Sequence, residues 1–410
     1  MKSDLDHLME SRQLDAIVVS GHVEGNPPLY YLTNGASLNW AYVIKRRGAE
    51  PVLIVHPMER EEAEVSNLTV LLRTHYDYAG LLSTHKGDVL AAEVAYLQRV
   101  LDDQDVTGRV GFYGQRDQGA AYVFLRALQK ALPQIEVVGE VDNDLITEAR
   151  ATKSPAEVAR IRAVGQCTVE VIRETLIYLQ QHNVGPDEIL RRADGSPLLV
   201  GHVHAHIRRL IALQGLEAPE GFIFALGRDA GIPHSQGTFS DPVRLGRSIV
   251  FDIFPCEAGG GYFFDMTRTF CLGYAPDEVV HLHEETLACF RSVVAQLAAG
   301  EETRRYQRLA CNFYAQRGHL TIADEPNTLE GYVHGLGHGL GLSLHESPSF
   351  RDTPANQQSL QPGHVFTLEP GLYYPEANMG CRVEDVFWLD EEGTFHNLVD
   401  YPYDLVVPME

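Results

Sequence analysis

Four carboxylates fall in two pairs, Asp252 with Asp265 and Glu369 with Glu384, and the glycine-dense run HGLGHGLGLSLHE (residues 334–346) lies between them. Four acids gathered in one place repel one another and cannot all ionise unless cations sit among them. Their combined charge matches two divalent ions, and His338 adds one imidazole to the oxygen set. Such a set suits Mn²⁺, Zn²⁺ or Co²⁺ better than a thiolate-type zinc centre. The chemistry that a metal pair of this kind performs is hydrolysis with an activated water. Asp252 stands between Phe251 and Ile253, and Glu369 follows Phe366, Thr367 and Leu368, so both acids interrupt apolar strands. An unpaired charge buried there would be costly.

The elements that must position these acids are hairpins. Directly opposed residues of an antiparallel hairpin share a constant index sum. If Asp252 opposes Asp265, the turn centres on Ala258 and Gly259, at the glycine run 259–261. If Glu369 opposes Glu384, it falls within YYPEANMG, where Pro375, Asn378 and Gly380 are turn formers. The flanks RSIVFDIF, YFFDMTRTF, VFTLEP and CRVEDVFWL are rich in aromatic and β-branched residues, as strands are. Each hairpin would then present two acids side by side.

The rest of the chain has to house those hairpins. At 410 residues it is too long for one ordinary core, and its 44% hydrophobic and 22% charged shares are those of a globular protein. Residues 1–150 alternate strand-like AIVVS, PVLIVH, TVLLR and RVGFY with helical DVLAAEVAYLQRVLDD and AAYVFLRALQKAL, which predicts an α/β N-terminal domain. The boundary falls at EARATKSPAEV. Ser154 at the cap and Pro155 at the first helical position start a helix running toward Leu179, with Val158, Ile161, Val164 and Val171 as its apolar stripe. Residues 151–410 read as an α+β catalytic domain, helices around an antiparallel sheet.

Net charge is −23, which argues against nucleic acid or an anionic membrane as partner. The N-terminus lacks the apolar core of a signal peptide and no run of about eighteen apolar residues occurs, so a cytoplasmic location is expected. Six cysteines without CxxC spacing read as reduced packing residues, with Cys256 and Cys381 on the acid-bearing hairpins.

Taken in order, His234 in IPHSQG, Asp252, Asp265 in DMTRTF, His338 in HGLGHG, His345 in LHE, Glu369 in LEPG and Glu384 in RVED resemble the pita-bread metallopeptidases, family M24. The extra His334, four residues before His338, and the N-terminal extension are similar to the Xaa-Pro aminopeptidase and prolidase branch and not to methionine aminopeptidases. The resemblance implies that a creatinase-type N-terminal domain (1–150) precedes a pita-bread catalytic domain (151–410). It implies two divalent metals, Mn²⁺ first with Zn²⁺ or Co²⁺ as alternatives. Asp252 would chelate one ion, His338 and Glu369 the other, with Asp265 and Glu384 bridging, and a bridging hydroxide would attack the peptide carbonyl. Glu369 would also shuttle a proton. His234 and His345 would flank the site as hydrogen-bond donors, His334 would line the proline pocket, and Arg382 would orient Glu384 from the same strand face. The resemblance further implies peptides with proline in second position as substrates and a homodimer or homotetramer. YLTNG (31–35) resembles a stretch of that branch that approaches a neighbouring subunit's site.

Two departures bear on specificity. The interval from Asp252 to Asp265 is longer than the family commonly has, so the first hairpin's loop should be long. Prolidases that prefer dipeptides carry an arginine shortly before the PG-containing strand, whereas TPANQQSLQPG has none. The matching position is Ala355, and Arg351 stands four residues earlier. An aminopeptidase acting on longer Xaa-Pro peptides is therefore the expectation, with an Xaa-Pro dipeptidase (prolidase) as the enzymatic alternative and a non-catalytic peptide-binding module as the alternative from a different class. GHVHAHIRRL offers His202, His204 and His206 without an accompanying acid, and reads as a helix with solvent-facing or cleft-edge histidines.

Overall fold

The apolar runs of the first 150 residues assemble into a single mixed sheet in the computed structural model, which describes residues 4–409. Across the sheet the strands are Thr69–Leu72, Val52–Val55, Ala41–Arg46, Ala16–Gly21, Gly108–Gly114 and Ile135–Val138. Four of them are the expected strands. Ala41–Arg46 was hidden by its cations. Tyr42 and Ile44 face the core, while Lys45 is buried against Asp6 at 2.8 Å, so a charged residue sits inside a central strand. Helix Val89–Asp103 begins where predicted and Gln118–Ala131 two residues earlier than the apolar run, because Asp88 and Asp117 accept the N–H groups of Ala91 and Ala120. The chain divides into two compact units. One runs to Arg150 and takes in Gly259–Gly261; the other takes Ala151–Ala258 and the chain from Tyr262 onward.

In the second unit, helix Pro155–Gln180 starts at a capping box, with Ser154 Oγ accepting from Glu157 N–H and the Glu157 carboxylate accepting from Ser154 N–H. Its predicted stripe, Val158, Ile161, Val164 and Val171, is buried. One sheet runs in the order Phe222–Leu226, Ile249–Ile253, Met266–Leu272, Val406–Val407; the other runs Glu346–Ser349, His338–Gly339, Val365–Leu368, Asp385–Leu389, Phe395–Asn397. This α+β architecture is the one expected from the sequence.

The two acid-bearing hairpins differ in how well their register was anticipated. In the second, Leu368 opposes Asp385 and Gly371 opposes Arg382, pairs that share the index sum of Glu369 and Glu384. The two glutamates therefore face each other across an unbroken register. In the first, Asp252 opposes Thr267, not Asp265. A slip of two residues preserves the face, so Asp265 remains the diagonal neighbour of Asp252 on the same side of the sheet. The turn moves one residue, to Gly259 and Gly260, and both have φ near +85° (86° and 85°), where glycine is favoured.

Arg268 joins the hairpins from behind. Its guanidinium donates to Thr267 O, Glu384 O, Tyr401 O, Pro402 O and Asp385 Oδ1, and both it and Asp385 are buried. Glu384 N–H donates to Thr267 O at 3.1 Å, so the strands holding the two acid pairs meet edge to edge. Replacing Arg268 by Met leaves Asp385 buried beside unpaired carbonyls, and unfolding stability should fall by about 3–5 kcal/mol. Urea denaturation followed by circular dichroism measures this, and a loss near zero would contradict the anchoring role.

Candidate metal centre

His338 supplies the nitrogen. Its Nδ1 lies 3.0 Å from Gly339 O, an acceptor only, so Nδ1 carries the proton and Nε2 keeps its lone pair. That Nε2 points at Asp265 Oδ2 (3.6 Å) and Glu369 Oε1 (3.7 Å). Burial, reinforced by neighbouring His345, pushes the His338 pKa down to about 3, which keeps the ring neutral. The glycines around it serve close packing. A Cβ on Gly337 would lie 2.0 Å from Thr367 O, and His338 N–H donates to Thr367 Oγ1.

Asp265, His338 and Glu384 each bring one ligand atom within 4.8 Å of the others, with Glu369 beside His338. Asp252 is near enough for its charge to raise the pKa of Asp265, Glu384 and Glu369, but Arg382 Nη2 draws its Oδ2 to 2.5 Å. Asp252 Oδ1, Asp265 Oδ1 and Glu384 Oε1 are buried without a hydrogen-bond partner among the described residues. Three orphaned carboxylate oxygens around one imidazole lone pair are what divalent cations would satisfy, so the residues fit a metal pair. Burial, and then the charges of the other acids, raises Asp265 and Glu384 well above the ordinary carboxylate range. Burial raises Glu369 to about 8 against the opposing pull of Arg382.

Arg382 corrects one expectation. It holds Asp252, where sequence periodicity suggested Glu384. The side chain extends across the neighbouring strand, donating to Thr267 Oγ1, which itself donates to Glu384 Oε2 at 2.8 Å, so its link to Glu384 runs through a hydroxyl. Its Nη1 donates to Tyr373 Oη at 2.6 Å, and Tyr373 O–H then donates to His334 Nε2 at 2.8 Å. With Nδ1 bonded to Gly335 O, both His334 ring nitrogens are committed, and the rings of Tyr332 and Tyr373 pack against it. Tyr373 and Thr267 were missed in the sequence. Gly371 opposes Arg382, which makes Tyr373 its diagonal neighbour, and that signal lay in the hairpin sum already in hand.

His345 is exposed, with its ring centroid 4.4 Å from that of His338. His234 is exposed as well; burial lowers the pKa of both His334 and His345, and nearby His234 adds a smaller push in the same direction. Arg351 belongs to this group. Its Cγ would lie 3.9 Å from a Cβ on Gly335, its charge acts on His345, and its guanidinium has no partner among the described residues. His202, His204 and His206 do not converge. His202 Nδ1 caps its own helix at Leu199 N–H, His204 is buried against Phe222 with Nε2 on Gln236 O, and His206 stacks on Tyr178. The solvent-facing expectation is wrong for His204, because an aromatic shelf and a backbone acceptor satisfy both ends of its ring. All six cysteines are free thiols, and Cys256 and Cys381 are buried.

Comparison with known proteins gives the same outline. A family profile described as Metallopeptidase family M24 matches residues 159–391. The chain is 24% identical over 389 residues to the Xaa-Pro dipeptidase of Pyrococcus horikoshii, covering 94% of this chain and 93% of that one. It is 26% identical over 279 residues to the Mycobacterium tuberculosis protein named Probable dipeptidase PepE, a match spanning 66% of that relative, just under two thirds of its length. Among solved structures, the X-Pro aminopeptidase of Thermotoga maritima superposes with a TM-score of 0.75 at 20% identity, covering 98% of this chain and 100% of that one, which shows a shared pita-bread fold. With the matched profile spanning more than half of its residues, this chain belongs to metallopeptidase family M24.

Proposed function

We propose that this metallopeptidase is an Xaa-Pro dipeptidase, hydrolysing the bond that joins an N-terminal residue to proline. The observation that carries the metal-dependent reading is the set of three orphaned carboxylate oxygens around the neutral His338 ring. Asp252, Asp265, His338, Glu369 and Glu384 would hold two ions, with Mn²⁺ preferred among hard-oxygen partners and Zn²⁺ or Co²⁺ as alternatives. The chemistry those ions supply when bound is polarisation of the scissile carbonyl and a lowered pKa for water.

The chain's own residues do the rest. Glu369 is half-buried while Asp265 and Glu384 are fully covered, so its carboxylate is the one able to carry a proton toward the departing proline nitrogen. His234 and His345 stand at the mouth as donors to the peptide carbonyl and to the tetrahedral oxyanion. His334, held by Tyr373, offers its ring to the proline side.

Arg351 favours the dipeptide reading over action on longer chains. Its exposed side chain passes Gly335 at Cγ and its charge reaches His345, so its guanidinium is available to the free carboxylate that proline bears only in a dipeptide. The Xaa-Pro dipeptidase name borne by the Pyrococcus horikoshii relative leans the same way. Longer Xaa-Pro peptides remain the second reading, because Ala355 stands where dipeptide-preferring prolidases carry arginine.

Three measurements test this reading. Replacing Asp265 or His338 by Ala should lower bound Mn²⁺ by elemental analysis and reduce kcat/KM by at least about 100-fold, since even partners outside the ligand set commonly cost 10–100-fold. Full activity in either metal-poor variant would end the metal reading. The second concerns pH. A glutamate raised from 4.5 to about 8 in the folded chain makes metal-free protein lose stability as pH rises through that window. Melting of stripped protein should thus fall from pH 5 to about 8, and added Mn²⁺ should remove the slope. A flat profile without metal would count against the buried acids. Third, an Xaa-Pro dipeptide should be cleaved at least about tenfold better than its C-terminally extended tripeptide, and Arg351→Ala should erase that preference. Preference for the tripeptide would favour the second reading.

A further inference from the structure

Beneath the loop that carries His345 lies a buried ion pair. Lys153 Nζ donates to Glu346 Oε2 at 3.0 Å, and the two side chains are 1% and 0% exposed. Lys153 is fixed independently of that loop. Its N–H donates to Gly363 O at 2.7 Å, its Nζ also donates to Ala151 O, and helix Pro155–Gln180 begins two residues later. The other carboxylate oxygen, Glu346 Oε1, accepts from Ser343 N–H at 2.9 Å. Gly341 leaves no room for anything else, since a Cβ there would lie 2.4 Å from Glu346 Oε2 and 2.9 Å from Lys153 Cε. Residues 341–345 are thus folded around one carboxylate, and Phe263 N–H donates to Gly341 O at 2.8 Å, tying the same loop to the strand entry just before Asp265.

A buried ion pair explains stability poorly. Replacing both partners with apolar residues of similar volume is often neutral or better, whereas removing one is costly. What an apolar pair cannot do is accept the Ser343 N–H and pin the turn. His345, the residue immediately before Glu346, closes that turn with its ring 4.4 Å from that of His338. We propose that Lys153 and Glu346 are positioning residues for the hydrolytic reaction, fixing the 341–345 turn so that the His345 ring stays over the ligand-bearing histidine. This rests on the role given to His345 above.

The test compares three full-length, Mn²⁺-loaded variants with the parent on an Xaa-Pro dipeptide. Glu346→Asp keeps the charge but shortens the arm by one methylene. Lys153→Met combined with Glu346→Leu removes the pair while filling its space. His345→Ala probes the residue being positioned. In the first two, kcat should fall about 10- to 100-fold with KM nearly unchanged, as expected for a misplaced group. Bound metal should stay at the parental level, and the Met/Leu variant should melt close to the parent. If that double variant does not fold, Glu346→Asp decides alone. Parental kcat in Glu346→Asp or in a folded Met/Leu variant, alongside an impaired His345→Ala, overturns the anchor and leaves the reading of the site intact. Parental kcat in His345→Ala overturns the role of His345, and the anchor's purpose with it.

Discussion

Like charges confined in a dry space set the terms for this fold. Burial first, and then the charges of neighbouring acids, Asp252 among them, raise the proton affinity of Asp265, Glu369 and Glu384, so the second unit must hold the four acids together against repulsion. It does so with backbone. The acids sit on hairpins whose strands are hydrogen-bonded to one another and joined at Thr267 and Glu384. Arg268 grips the carbonyls behind the acids, while Arg382 grips one carboxylate in front. One cation on each side limits the repulsion and leaves three oxygens without protein partners. A site built in this way is poised for cations.

Much of this was legible from periodicity alone. The Glu369 and Glu384 pairing follows from turn residues at Pro375, Asn378 and Gly380, which leave one register in which both flanks stay apolar toward the core. The first hairpin slipped because three consecutive glycines permit several turn positions, and sequence cannot choose among them. The slip was even, so the face survived and the chemical inference with it. An odd slip would have sent Asp265 to the other side. Helix Pro155–Gln180 was equally readable, since capping groups are local and need no tertiary partner.

What escaped the sequence was side-chain reach. Arg382 was assigned to Glu384 by strand alternation, yet its long guanidinium arm reaches past the neighbouring strand to Asp252. Tyr373 was passed over because a tyrosine in a strand normally signals packing; its hydroxyl becomes meaningful only once Arg382 and His334 are known to meet there. Lys45 reaches as far in another direction, its ammonium leaving a central strand to pair with Asp6. In each case a long side chain carried information away from its own position.

The glycine run 334–341 connects these points. Placing His338 beside Asp265 and Glu369 brings its backbone directly against strand Val365–Leu368, where Gly337 touches Thr367 O and Leu340 N–H donates to Val365 O. A side chain at Gly337 would meet Thr367 O and one at Gly339 would meet Ser347 O, each at 2.0 Å, so one or the other flanking strand would be pushed away and the imidazole displaced. The alternation of glycine with histidine and leucine is therefore a packing rule serving chemistry. Glycine lets the chain lie close, leucine anchors it in the core, and histidine is left facing the acids. Because His338 Nδ1 is bonded to the carbonyl of the very next residue, Gly339, the backbone that positions the ring also selects its tautomer. Shape and protonation are set by the same short segment, and neither can be altered without the other.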